Sequence, residues 1–157
     1  MNPQPEVVLV DDEEMVLTSV SALLMLETEC NVHTFLSPAE AIRHLETHPV
    51  DLVVSDYLMP QMNGIQLLAK SKELQPEAAR VLLTGHADKA SAIQAINAVG
   101  LYHYLEKPWE NAQLLMIVSS AVERTQLLRQ VQAMLSDLDN ANDSLKDIQT
   151  RLIKAFL

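Results

Sequence analysis

At 157 residues and 48% hydrophobic content, the chain is long enough to fill one domain core of ordinary size and to carry an appendage. Its formal charge of −10 argues against a general nucleic-acid-binding surface, which needs clustered Lys and Arg; sixteen acidic residues stand against six basic ones up to residue 110, and five against five beyond it. A single cysteine, Cys30, excludes an internal disulfide, and with no basic apolar leader and no run of about 18 apolar residues the chain is placed in a reducing, cytoplasmic setting.

Short apolar runs alternate with longer stretches of helical period, the pattern of a parallel sheet covered by helices on both faces. The first strand is "VVLV" (7–10), and the helix after it, over 14–27, places Val16, Val20, Leu23, Leu24 and Glu27 at amphipathic spacing. A second strand, "NVHTF" (31–35), leads to a helix opening at Ser37, an N-cap with Pro38 at the first helical position and Glu40 three residues on. The third strand is "LVVS" (52–55), with its helix following Gly64. "RVLLT" (80–84) and "YHYLE" (102–106) complete the strands, with helices from about Asp88 to Ala98 and from near Trp109. Met15, Met25 and Met116 read as core filling. His44 and His48, in "HLETH", have metal-ligand spacing, but Leu45 stands where a zinc protease places glutamate, so they read as a solvated helix face.

The last helical pattern runs on. From Leu128, the positions Leu128, Val131, Leu135, Leu138, Leu145 and Leu152 follow alternating steps of three and four, with Asn142 and Gln149 on the same seam and Phe156 closing it. Leu114, Ile117 and Ala121 fit the same register but Arg124 interrupts it, so the helix is expected to change from sheet packing to pairing with another helix near there. A parallel homodimer would set Asn142 against its own mate. The alternative is a helix folded back on its own domain. The chain stops inside the pattern at "RLIKAFL", consistent with a following output domain or with a helix that ends the protein.

In an open parallel sheet, sites form at the carboxyl ends of the strands. Asp11 and Asp12 follow the first strand, Asp56 the third, Thr84 the fourth and Lys107 the fifth. Asp11–Asp12 alone would read as a solvated strand end, and Thr84 alone as a common hydroxyl; the company of Asp56 and Lys107 reverses both readings. Carboxylates gathered at one edge repel one another unless a hard cation with oxygen ligands joins them, and Mg²⁺ is the natural candidate. Asp56 would then have its charge compensated while one oxygen stays free as a nucleophile.

Together "VLVDDEE", "SDYLMPQMNG", "LLTGHAD" and "YLEKPW" resemble the receiver domain of bacterial two-component response regulators over about residues 6–125. The resemblance implies a doubly wound, flavodoxin-like α/β fold with five parallel strands, here with a long C-terminal helical extension. It implies that Asp56 accepts a phosphoryl group from a sensor histidine kinase or phosphotransfer protein. Asp11 and Asp12 would hold Mg²⁺ directly or through water, with Asp56 and the backbone carbonyl of Leu58. Thr84 would hydrogen-bond one phosphoryl oxygen, Lys107 would pair with another, and Tyr104 would be the aromatic switch residue. The Lys107–Pro108 peptide would be cis, and Leu58 and His86 would tune access of water to the acyl phosphate. Residues 1–125 are thus expected to form the receiver and 126–157 a helical or coiled-coil extension, a linker to an output domain or downstream effector such as a cyclic-dinucleotide phosphodiesterase or other enzyme. No direct nucleic-acid or membrane contact is expected. Two alternatives compete: a haloacid-dehalogenase-like aspartyl phosphatase, disfavoured because position 58 is leucine and not a second acid, and a dimer scaffold that works without phosphorylation.

Overall fold

A computed structural model describes residues 4–85 and 88–156. Five strands form one parallel sheet: β1 (Glu6–Val10), β2 (Asn31–Phe35), β3 (Leu52–Asp56), β4 (Ala79–Thr84) and β5 (His103–Glu106). Their order is β2-β1-β3-β4-β5, so the winding reverses between β1 and β3 and opens a crevice at their carboxyl ends. The helices are α1 (Glu14–Glu27), α2 (Pro38–Thr47), α3 (Gly64–Leu74), α4 (Lys89–Ala95) and α5 (Asn111–Phe156), and a π-helical turn covers Ile96–Gly100. The chain forms two compact units that divide between Thr125 and Gln126.

Strand periodicity sorts the core into two layers, because successive side chains point to opposite faces. Val7, Leu9, Leu52, Val54, Val81, Leu83 and Leu105 pack with Leu17, Val20 and Leu24 of α1 and Leu114, Ile117, Val118 and Ala121 of α5. On the other face, Val8, Val10, Val53 and Leu82 meet Ala41 and Leu45 of α2, Leu67 and Leu68 of α3, and Ala92 and Ala95 of α4. Both faces are covered, which is why the central strands β1, β3 and β4 read as unbroken apolar runs.

Polar side chains fasten the elements. The first turn of α3 is closed by a capping box in which Asn63 Oδ1 accepts from Gln66 N–H (2.8 Å) and Gln66 Oε1 accepts from Asn63 N–H (3.0 Å). Buried Arg80 donates through Nε to the carbonyls of Val99 (3.1 Å) and Gly100 (3.2 Å), satisfying the end of the π-helical turn where Gly100 takes φ +68°. Fully buried Thr125 donates to the Asp51 carbonyl (2.7 Å) and accepts from Ala79 N–H (3.2 Å), pinning α5 to the beginnings of β3 and β4.

Several expectations need correction. Ser37 occupies the N-cap position of α2, but its side chain makes no capping hydrogen bond, and Pro38 alone marks the start. The fourth helix ends at Ala95 and passes into the π-helical turn, three residues short of the expected Ala98. The three methionines are not core: Met15 is 82% exposed, and Met25 and Met116 are each 63% exposed. Each sits off the buried stripe of its helix, which in α1 follows Leu17, Val20 and Leu24. Met15 instead lines an open groove of about 320 Å³ with Val16, Leu23 and Trp109.

Candidate functional site

The crevice gathers the strand-end residues. Carboxylate oxygens of Asp11, Asp12 and Asp56 lie within 4.8 Å of one another. Lys107 Nζ stands 3.0 Å from Asp56 Oδ1 and 3.6 Å from Asp11 Oδ2. The Lys107–Pro108 peptide is cis, and Lys107 N–H donates to the Thr84 carbonyl at 2.7 Å, which fixes the β5 end beside the β4 end. Thr84 is fully buried, and among the described residues its hydroxyl has no hydrogen-bond partner. Tyr104 is half-buried on β5 and packs against the α2–α3–α4 layer.

The electrostatics follow from burial. Asp11 is fully buried; Glu13 N–H donates to its Oδ1 at 2.9 Å, while Oδ2 has no hydrogen-bond partner among the described residues. Desolvation pushes its pKa up to about 6, against the Glu13 hydrogen bond that favours the ionised form and with help from the neighbouring charge of Asp56. Burial likewise raises Asp56, opposed by Lys107 and by the Tyr57 N–H that donates to its Oδ1 at 3.0 Å. Burial works against the charge on Lys107, but the hydrogen bond to Asp56 and the charges of Asp11 and Asp56 outweigh it and hold the ammonium above its ordinary value. With all four groups ionised, three carboxylates and one ammonium leave two negative charges in the crevice.

Two features of the site are not apparent from residue types. A β-carbon on Gly64 would stand 2.2 Å from the Asp56 carbonyl oxygen, so only glycine lets the chain re-enter α3 directly behind the acidic residue. The Gly64 N–H closes that loop on the Tyr57 carbonyl at 2.9 Å, and Gln61 takes φ +72° on the way. Leu58 is exposed in the same loop. His86, read as tuning water access, lies outside the described residues. The "HLETH" histidines stack on each other at 4.3 Å, and His44 also meets the ring of His33, whose Nε2 is 2.6 Å from Glu6.

The profile of the response regulator receiver domain matches residues 7–119. The chain belongs to the response regulator receiver family. It is similar to the hydrogenase transcriptional regulatory protein HoxA of Cupriavidus necator, 36% identical over 121 residues that cover 76% of this chain and 24% of that protein. It is also similar to the transcriptional regulatory protein FixJ of Rhizobium meliloti, 30% identical over 90% of this chain and 66% of FixJ. Among solved structures, the signal receiver domain of an HD domain-containing protein from Pseudomonas fluorescens Pf-5 is 35% identical with a TM-score of 0.74, over 79% of this chain and 98% of that one. The chain therefore spans only about a quarter of the length of HoxA. A receiver of this family is a phosphoacceptor signalling domain of two-component systems, which works with histidine kinases and output domains. Neither the phosphatase nor the phosphorylation-independent scaffold finds support among these relatives. Among the described residues no helix is long and apolar enough to cross a membrane.

Proposed function

We propose that Asp56 is the phosphoryl acceptor of a switch served by a sensor histidine kinase or phosphotransfer protein. The observation that carries this reading is Lys107 Nζ at 3.0 Å from Asp56 Oδ1, within a cluster that also holds Asp11 and Asp12. Tyr57 N–H and Lys107 both engage Oδ1, so Oδ2 is the oxygen presented for attack. It displaces the partner's imidazole at phosphorus: the new O–P bond forms as the P–N bond breaks, and the histidine nitrogen leaves with the electron pair and takes up a proton. Because little covalent chemistry falls to the protein, positioning and charge do most of the work. Lys107 then pairs with one phosphoryl oxygen, the buried hydroxyl of Thr84 donates to another, and Tyr104 is the aromatic group that turns inward in response.

Oxygen donors for Mg²⁺ are Asp11, Asp12, Asp56 and the backbone carbonyl of Leu58. Two observations fit this ion: the buried Asp11 oxygen without a hydrogen-bond partner among the described residues, and the residual double negative charge that a divalent cation balances. When bound, Mg²⁺ neutralises charge on the transferred phosphoryl group. Residues 1–125 form the receiver and 126–157 the helical extension that passes the signal on. The near-neutral charge of residues 111–157 weighs against direct DNA binding by that segment itself. Incubation with Mg²⁺ and acetyl phosphate should add one phosphoryl group by intact-mass analysis, and Asp56→Asn should add none. Equal labelling of the variant would remove Asp56 from this role.

A further inference from the structure

One helix, α5, carries two apolar patterns. Its first part buries Leu114, Ile117, Val118, Ala121, Val122 and Thr125, a broad stripe with the helical period of an element lying on a sheet. From residue 127 the pattern narrows. Leu127, Val131, Met134, Leu138, Ala141, Leu145, Ile148, Leu152 and Ala155 follow alternating steps of four and three with no polar member. The seven large side chains among them are each more than half exposed in the single chain. From Asp137 onward this line is flanked on both sides by polar residues: Asp137, Ser144 and Arg151 on one, Asn142 and Gln149 on the other. Steps averaging 3.5 residues, sustained over about 43 Å of helix, keep one line of contact only when two helices wind around each other.

We propose that residues 127–155 are the interface with a second copy of this chain, paired through this uninterrupted line. The sequence reading that started from Leu128 shares Val131, Leu138, Leu145 and Leu152 with it. It differs at the alternate positions, where it placed Leu135, Asn142 and Gln149 at the contact instead of Met134, Ala141 and Ile148. Asn142 therefore flanks the seam and does not meet its mate inside it.

Charge selects a second copy as the occupant. Between residues 127 and 155 four acidic residues accompany four basic ones, so two such helices meet without net repulsion, while the acidic excess of the protein lies entirely before residue 111. The polar flanks limit the contact to one partner helix beyond the first two turns, where Leu128 and Leu135 broaden it.

Sedimentation equilibrium of the full chain tests this without reference to phosphorylation. The parent should be a dimer at micromolar concentration. Ile148→Gln should raise its dissociation constant about tenfold or more, and the adjacent Gln149→Lys should change it by less than about twofold. Both sites are exposed in the single chain, so neither change removes packing from the receiver. Dissociation by Gln149→Lys but not by Ile148→Gln would overturn this seam in favour of the Leu128 series. A monomeric parent would overturn the interface altogether.

Discussion

Asp11 illustrates what a single residue costs and contributes. Its carboxyl ordinarily titrates at 3.8, and burial moves it to about 6 in the folded chain. With metal chelated, the unfolded chain releases this proton first, so the group's contribution to stability is full below the ordinary value and is lost as pH rises through about 6. Asp11→Asn should remove that loss and stabilise the metal-free chain at pH 7.5 by up to about 3 kcal/mol, with a much smaller gain near pH 4.5. Urea melts in EDTA at both pH values measure the gap; a gap that does not change with pH would show that the Asp11 charge is not what costs stability. At this scale the sequence was informative, because Asp11, Asp12, Asp56, Thr84 and Lys107 all stand where a strand must end. The Tyr57 N–H on Asp56 was not legible, since a backbone donor has no residue signature. The exposed methionines misled because an apolar type says nothing of which helix face it occupies.

Elements hold these residues in place, and the β3–α3 connection is the most constrained of them. Asn63–Gly64 was legible as turn chemistry, but the reason for glycine was not, because the clash partner is the carbonyl of Asp56, eight residues earlier. Gly64→Ala would have to move that carbonyl or the α3 start, so a loss of about 3 kcal/mol is expected together with a slower acetyl phosphate reaction. Denaturant melts and labelling rates would check both, and unchanged values would mean that the loop has slack the packing does not show. Strands were legible to within one residue at each end, the central β1, β3 and β4 because both their faces are apolar. The π-helical turn was not, as it depends on Arg80 reaching across from β4 to take the carbonyls of Val99 and Gly100. Nor was Thr125, a polar residue whose buried hydroxyl reaches, besides the Ala121 carbonyl of its own helix, the Asp51 carbonyl and the Ala79 N–H, far away in sequence.

At the scale of the whole molecule, the separation of charge predicts two independent responses to solution conditions. A ligand that binds only the folded state raises stability by mass action, by about 2.7 kcal/mol at a hundred times its dissociation constant. Mg²⁺ should act this way through Asp11, Asp12 and Asp56, whose oxygens converge only when β1 and β3 are side by side. That shift in melting temperature should not depend on protein concentration. Pairing through residues 127–155 should instead follow protein concentration and be nearly indifferent to Mg²⁺. Asp12→Ala is thus expected to lose most of the Mg²⁺ shift and remain a dimer, because Asp12 is an exposed member of the cluster with no part in the seam. Ile148→Gln is expected to do the reverse. Melting curves over a range of Mg²⁺, combined with sedimentation of both variants, separate the two. An undiminished Mg²⁺ shift in Asp12→Ala would place the metal elsewhere, and a dimer lost in Asp12→Ala would mean that the acidic crevice and the helical extension are energetically one system.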